Sequence, residues 1–219
     1  MTLKHEVSVL LKKELLTEWR QRYAINGMLL YVISSVFVAF LSFHVVNPAS
    51  WNALFWIIML FSSVSAVAKS FIGESRGRML YYYTIASAQG VILSKMIYNT
   101  LLMLVLSLLC LLVYCTLIGN IIQNMWAFTL TAALGSMGLA ACFTMVSAIA
   151  SKANNSHVLM PILSFPVIIP LLLVTIKVAK KAVDGLDYST FYQDFSVILL
   201  INLIIAILAY ILFPFIWKD

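Results

Sequence analysis

The chain has 219 residues, 63% of them hydrophobic and only 10% charged, with a mean hydropathy of +1.02. A soluble domain carries roughly 25% charged residues, so these values, with repeated uncharged runs of about 20 residues, exclude a soluble enzyme and indicate a polytopic membrane protein. The formal net charge of +6 is no sign of nucleic acid, because the basic residues sit beside the ends of apolar runs, where orientation and anionic lipid account for them.

At the N-terminus, Leu3, Val7, Leu11, Leu15, Trp19 and Tyr23 recur every four residues, with Leu10 beside them. Lys4, Lys12, Lys13, Glu14, Glu18, Arg20 and Arg22 fill most of the remaining circumference. Residues 1–24 therefore read as an amphipathic helix lying in the membrane interface. Their mixed charge, with no small-residue cleavage pattern after the first apolar run, argues against a secretory signal.

Six apolar spans follow, at about 25–46, 52–72, 97–118, 126–150, 158–176 and 195–217. Each is long enough to cross a hydrocarbon core of about 30 Å. The expected fold is all-α, a single membrane domain over residues 1–219 with six transmembrane helices behind an N-terminal interfacial helix.

Lysine and arginine counts orient it. Lys4, Lys12, Lys13, Arg20, Arg22, Lys69, Arg76, Arg78, Lys95, Lys152 and Lys218 fall on one side, and Lys177, Lys180 and Lys181 alone on the other. Both termini and the 73–95 and 151–157 loops are thus expected in the cytoplasm. For the three outer lysines, the helical period of Val178, Ala179, Ala182, Val183 and Leu186 suggests a fifth helix that bends into a short outer interfacial helix.

Within the spans, Cys110, Cys115 and Cys142 have no CxxC spacing and no nearby His, which fits buried thiols better than a disulfide or metal site. The fourth span carries Ala132, Ser136, Ala140, Thr144 and Ala148, with Gly135 and Gly138 nearby, a band that permits close helix approach. The fifth carries Pro161, Pro166 and Pro170. Pro161 fits a first turn, whereas Pro166 and Pro170 each remove an interior hydrogen bond and share a face. They mark a helix bend, either a static kink, the wall of a cavity or a moving joint.

No span contains a deep Asp, Glu or Arg, which disfavours a proton-coupled carrier. No carboxylate pair, HExxH or Ser/His/Asp set exists at membrane depth, so no catalytic residue is expected. The phosphate-binding G-x-x-x-x-G-K-[ST] is also missing; Gly73-x-x-x-Gly77 lacks its Lys-Ser/Thr. Energy would then come from another subunit.

The polar stretch at 73–95 is where such a subunit could act. Glu74 precedes Arg78 by four residues, the favourable order for a helical ion pair, with Arg76 between them and Met79 to Tyr83 following as an aromatic run. A solvated turn with an interfacial aromatic belt and a short helix docking into a partner's groove both fit this composition.

The amphipathic N-terminal helix, the six spans, the loop Glu74-Ser-Arg-Gly-Arg-Met-Leu80 and the run Phe165-Pro-Val-Ile-Ile-Pro-Leu-Leu-Leu173 together resemble ABC-2 type permeases and, more specifically, the CcmB family of haem-exporter permeases. The chain departs from the usual pattern at Tyr81–Gly90, where related permeases have a Leu-rich turn with Ser-Pro, which leaves the docking surface open.

The resemblance implies a bacterial cytoplasmic-membrane subunit, paired with a second copy and with the ATP-binding subunit CcmA. It further implies association with CcmC and CcmD and action on haem delivered to the chaperone CcmE. ATP would be hydrolysed by the partner, haem would be cargo, and Glu74, Arg76 and Arg78 would be the ATPase-coupling contacts. No haem-ligand pair stands out, which favours transmission of motion over haem conduction. His44, near the outer end of the first span, is the haem contact to test first, although a polar interfacial anchor is the plainer reading. Two alternatives stay open: an ABC-2 permease exporting a drug, lipid or glycan, and a non-transporting membrane assembly scaffold.

Overall fold

In lipid every backbone N–H and C=O must be paired within its own segment, which drives uncharged runs into helices. The computed structural model describes residues 3–20, 22–43, 45–67, 69–72, 86–151, 156–186 and 191–218, and these form helices and short connections, with no strand among them. In chain order the helices are α1 (Leu3–Arg20), α2 (Arg22–Ser42), α3 (Pro48–Val67), α4 (Lys69–Ile72), α5 (Ala88–Leu117), α6 (Met125–Ala150), α7 (Ser156–Val183) and α8 (Phe191–Lys218).

Five helices are long and apolar enough to cross a membrane: α3, α5, α6, the Ile162–Val183 part of α7, and α8. The apolar part of α2, Asn26–Ser42, is shorter. The chain is thus an all-helical polytopic membrane protein with five full-length candidate spans and one shorter apolar helix.

α6 is the hub. Its apolar window is 78% buried, against 17% for that of α8, and α3, α5, α7 and α8 all pack on it. Small residues make this approach close: a Cβ placed on Gly135 would lie 2.5 Å from the Trp56 ring, and one on Gly138 would lie 2.6 Å from Leu171. The buried hydroxyls of Thr131, Ser136 and Thr144 donate to carbonyls one turn back in α6, so they leave no unpaired donor in the core. Two amides tie helices together across it: Asn52 donates to the Ile176 carbonyl and Asn202 to the Leu134 carbonyl.

One end of the bundle is closed by aromatics. Trp51, Phe55, Tyr114 and Phe128 pack edge-on or stacked. The Trp51 indole donates to the Gly119 carbonyl, and the Tyr114 hydroxyl to the Trp51 carbonyl. Gly119 has φ +101, a left-handed conformation that suits glycine at the end of a helix.

Two boundaries depart from expectation. α5 starts at Ala88, not Ile97. The polar residues Ser94 and Lys95, which read as loop, are buried within it, as is Asn99 of the expected span. α7 runs unbroken to Val183, so no separate interfacial helix forms there; Val178, Ala179 and Ala182 are fully buried. It is held by the Asn124 N–H donating to the Ala182 carbonyl and is closed by Gly185 at φ +73, with the Leu186 N–H reaching back to Lys181. Pro166 and Pro170 are exposed and lie inside this same continuous helix. A further proline, Pro214, sits inside α8.

Candidate functional site

Glu74, Arg76, Arg78 and the whole 73–85 stretch lie outside the described residues, as does His44. What is described are the two stems of that stretch. α4 leads into it, and Ala86 and Ser87 lead out of it into α5. Both stems enter one polar junction built by α1, α4, α5 and α6.

The outgoing stem is capped twice. Ser87 is the N-cap of α5, its Oγ accepting from the Gly90 N–H at 3.0 Å. The Glu6 carboxylate of α1 accepts from both the backbone N–H and the hydroxyl of Ser87. A carboxylate at this position satisfies an orphan donor and faces the positive end of the α5 dipole. Its approach needs Gly90, because a Cβ there would lie 2.6 Å from Glu6 Oε1.

Eight residues further along each helix lies a second fastening, Glu14 with Lys95. The equal spacing of Glu6 to Glu14 and Ser87 to Lys95 shows that α1 and the start of α5 run side by side in the same direction. Lys95 is 3% exposed. Its ammonium donates to the Ser70 carbonyl of α4 at 2.6 Å, lies 3.4 Å from Glu14 Oε1, and sits 4.9 Å from the centre of the Phe71 ring. Lys13 also reaches Glu14, at 2.8 Å.

Burial alone would raise the Glu14 carboxyl, but Lys95 and Lys13 together outweigh it and hold the group below its ordinary value. Glu18, one turn on, is pushed up by burial and by the charge of Glu14, with Lys95 opposing. Lys95 thus favours the charged form of both carboxyls on α1, prevailing with Lys13 at Glu14 and being outweighed at Glu18.

From Lys95 the network continues into the hub. Asn99, one turn further, donates to the Ser70 hydroxyl at 3.0 Å and to Thr144 Oγ1 of α6 at 2.8 Å. The Phe71 N–H donates to Ser147 Oγ of α6 at 3.3 Å. The Phe71 ring, 1% exposed, is 5.3 Å from that of Phe213 on α8, which is 5.4 Å from that of Trp217. Pro214 directly follows Phe213 in the chain.

This arrangement binds elements to one another. It offers no nucleophile with an adjacent base, and the described residues contain no group of three His, Cys, Asp or Glu that could hold a metal ion. Its one buried cation is satisfied by a carbonyl, a carboxylate and a ring.

Sequence reasoning marked the loop but missed the junction beneath it. Glu6, Glu14, Phe71, Ser87, Lys95 and Asn99 build that junction, and Pro166 and Pro170 take no part in it. One signal was available: Lys95 and Asn99 are four apart and so share a helix face, as do the small residues of α6 that receive them.

The family model described as CcmB protein matches residues 5–215. No curated protein matches the chain. A match over nearly the whole length, on an all-helical chain with several membrane-spanning helices, shows that the chain belongs to the CcmB family, the membrane permeases of haem-export ABC systems in cytochrome c biogenesis.

Proposed function

We propose that this subunit converts ATP hydrolysis in a separate ATP-binding subunit, CcmA, into movement of the membrane bundle, and that residues 73–85 are the contact. Glu74, Arg76 and Arg78 are the coupling residues. The observation that carries the reading is the junction: the outgoing stem is fastened to α1 by Glu6, the incoming stem to α5 by Lys95, and the two reach the hub helix α6 through Asn99 and Phe71. A push on the loop therefore has a short, buried and hydrogen-bonded route to the centre of the bundle, and side chains so tightly packed shift as units.

In this reading the chain is one membrane domain over residues 1–219. Six helices cross the bacterial cytoplasmic membrane, α2 being the sixth, and both termini are cytoplasmic. Two copies form the core of the complex with CcmA, and CcmC, CcmD and the haem chaperone CcmE act with it. Haem is the cargo of the system and no cofactor resides in this subunit. The subunit transmits motion and does not itself conduct haem, with His44 the residue that would betray the opposite. Pro166 and Pro170 give α7 its bend.

The test is co-purification with the ATPase and measurement of its turnover. Glu74→Ala and Arg78→Ala should each lower turnover in the assembled complex several-fold while α-helical content stays the same. Unchanged turnover in both variants removes the loop from the coupling role. Stoichiometric haem on the purified subunit, lost in His44→Ala, would replace motion transmission with haem conduction.

A further inference from the structure

The end of α7 remote from the junction carries three cations. Lys181 is neutralised by Asp194 at the start of α8. Lys177 and Lys180 are exposed and make no ion pair or hydrogen bond among the described residues. They stand one turn apart. They have no room to turn inward, because Val178, Ala179 and Ala182 fill the other side of the same turns and are fully buried. Asp184, exposed on the next turn, reaches neither of them within ion-pair distance.

Two ordinary explanations do not absorb this pair. The C-terminal carbonyls of α7 are already served by the Gly185 turn, with the Asp184 and Leu186 N–H groups reaching back to Lys180 and Lys181. The helix dipole favours a cation in the last turn, which holds Lys180 beside the Asp194-paired Lys181, but Lys177 lies a turn earlier and is left without that explanation. With Lys181 they are the three Lys or Arg residues assigned to this side, against the charge rule that orients the chain.

Their position suggests a ligand. Phe165, Ile169 and Leu173 are 58%, 48% and 66% exposed, and with Lys177 and Lys180 they follow one another at three- and four-residue steps along a single face. In a membrane-spanning helix such an exposed apolar stripe faces lipid, and here it ends in two cations. We propose that Lys177 and Lys180 bind the phosphate headgroup of an anionic phospholipid, whose acyl chains lie along the Phe165–Leu173 stripe. A lipid presents phosphate and hydrocarbon in that order and at that depth, and this continuity favours it over an acidic protein segment. Each cation near an anionic headgroup contributes enough for the pair to bias binding by roughly tenfold or more.

The experiment uses the full chain with its complex, reconstituted in nanodiscs of phosphatidylcholine with graded phosphatidylglycerol and analysed by native mass spectrometry. Phosphatidylglycerol should be retained in preference to phosphatidylcholine. The double variant Lys177→Gln/Lys180→Gln should lose that preference by about tenfold, and Lys177→Arg/Lys180→Arg should keep it. Both lysines are exposed, so an unchanged melting curve checks that the loss is not misfolding.

Equal retention of the two lipids by the unsubstituted protein overturns the proposal, as does an undiminished preference in the double Gln variant. Displacement by inorganic phosphate at equal concentration would reduce the pair to a simple anion site. Displacement by a polyglutamate peptide would assign the surface to an acidic polypeptide instead. None of these outcomes bears on the loop contact, which lies at the other end of the bundle.

Discussion

A lysine ammonium inside a membrane bundle is tolerable only when its charge is answered, and Lys95 is answered three ways. Removing one partner of a buried pair is costly because the other is left uncompensated, by about 3–5 kcal/mol where burial is complete. Glu14 is less buried than Lys95, so Glu14→Gln should destabilise by an amount at or below the low end of that range. Lys95→Met should cost a similar amount by stranding the Ser70 carbonyl and Glu14. The double variant Glu14→Gln/Lys95→Met should recover a substantial part of the sum, and a double-mutant cycle on thermal or denaturant unfolding measures the coupling directly.

The pH dependence follows in sign. Glu14 has a folded pKa below its ordinary value, so its contribution to holding α1 is complete at neutral pH and is lost as pH falls through that lowered value. Glu18 has a raised pKa. Its ionisation opposes docking once pH rises above the ordinary carboxylate range, so Glu18→Gln should tighten α1 slightly at neutral pH. Amide exchange protection of α1, corrected for intrinsic rates, should fall with acidification in the unsubstituted chain and lose most of that fall in Glu14→Gln. An α1 whose protection is flat down to the acid limit would remove Glu14 from the fastening.

At the scale of the elements, packing against α6 decides which helices sit where. Its glycines are read most directly by adding a single methyl group. At Gly135 the added Cβ meets the six-membered ring of Trp56, within 2.5–2.8 Å, and Thr175 Cγ2 at 3.2 Å. An indole cannot yield as a flexible side chain can, so Gly135→Ala should push α3 from α6 at a cost of about 1–3 kcal/mol. Gly27, with nothing within 4 Å, is the matched control, and Gly27→Ala in helix α2 should be neutral or mildly stabilising through helix propensity. A thermal melt of the two variants separates them, and equal melting would refute close packing at Gly135.

The same scale shows what could be read from the chain alone. Uninterrupted apolar runs marked α3, α6 and α8 because burial and lipid exposure both demand the same residues. The small-residue band marked α6 as a close-packing helix, because approach distance depends on side-chain volume. The start of α5 was hidden because Lys95 is polar for a tertiary reason, to meet Glu14 and Ser70, and pattern alone reads such polarity as loop. The end of α7 was hidden likewise. Its lysines suggested an interface, whereas Val178, Ala179 and Ala182 between them complete a core helix whose partner, the 121–124 segment, lies far away in the sequence.

For the molecule as a whole, the question is how an event outside the bundle reaches its centre, and Phe71 is the residue through which that proposal can be tested. It stands at the end of the incoming stem with its N–H on α6, its ring under the α5 ammonium and against Phe213 of α8. Phe213 precedes Pro214, where α8 lacks the hydrogen bond that would stiffen it, so α8 can yield there more readily than at its other turns. Phe71→Leu preserves apolarity but withdraws the ring face from both Lys95 and Phe213, at a cost of about 1–2 kcal/mol. If the junction carries the stroke, the complex should still assemble, because Glu74, Arg76 and Arg78 are untouched. ATP addition should then no longer change the emission of Trp217, whose ring lies tilted against that of Phe213; Trp217→Phe identifies that component of the signal. Phe213→Leu should show the same loss, and the two substitutions together should do no more than either alone, as expected of consecutive steps on one path. A full ATP-dependent Trp217 response in Phe71→Leu would mean that α8 receives the stroke by another route, and independent additive losses would mean that the two rings act on separate events.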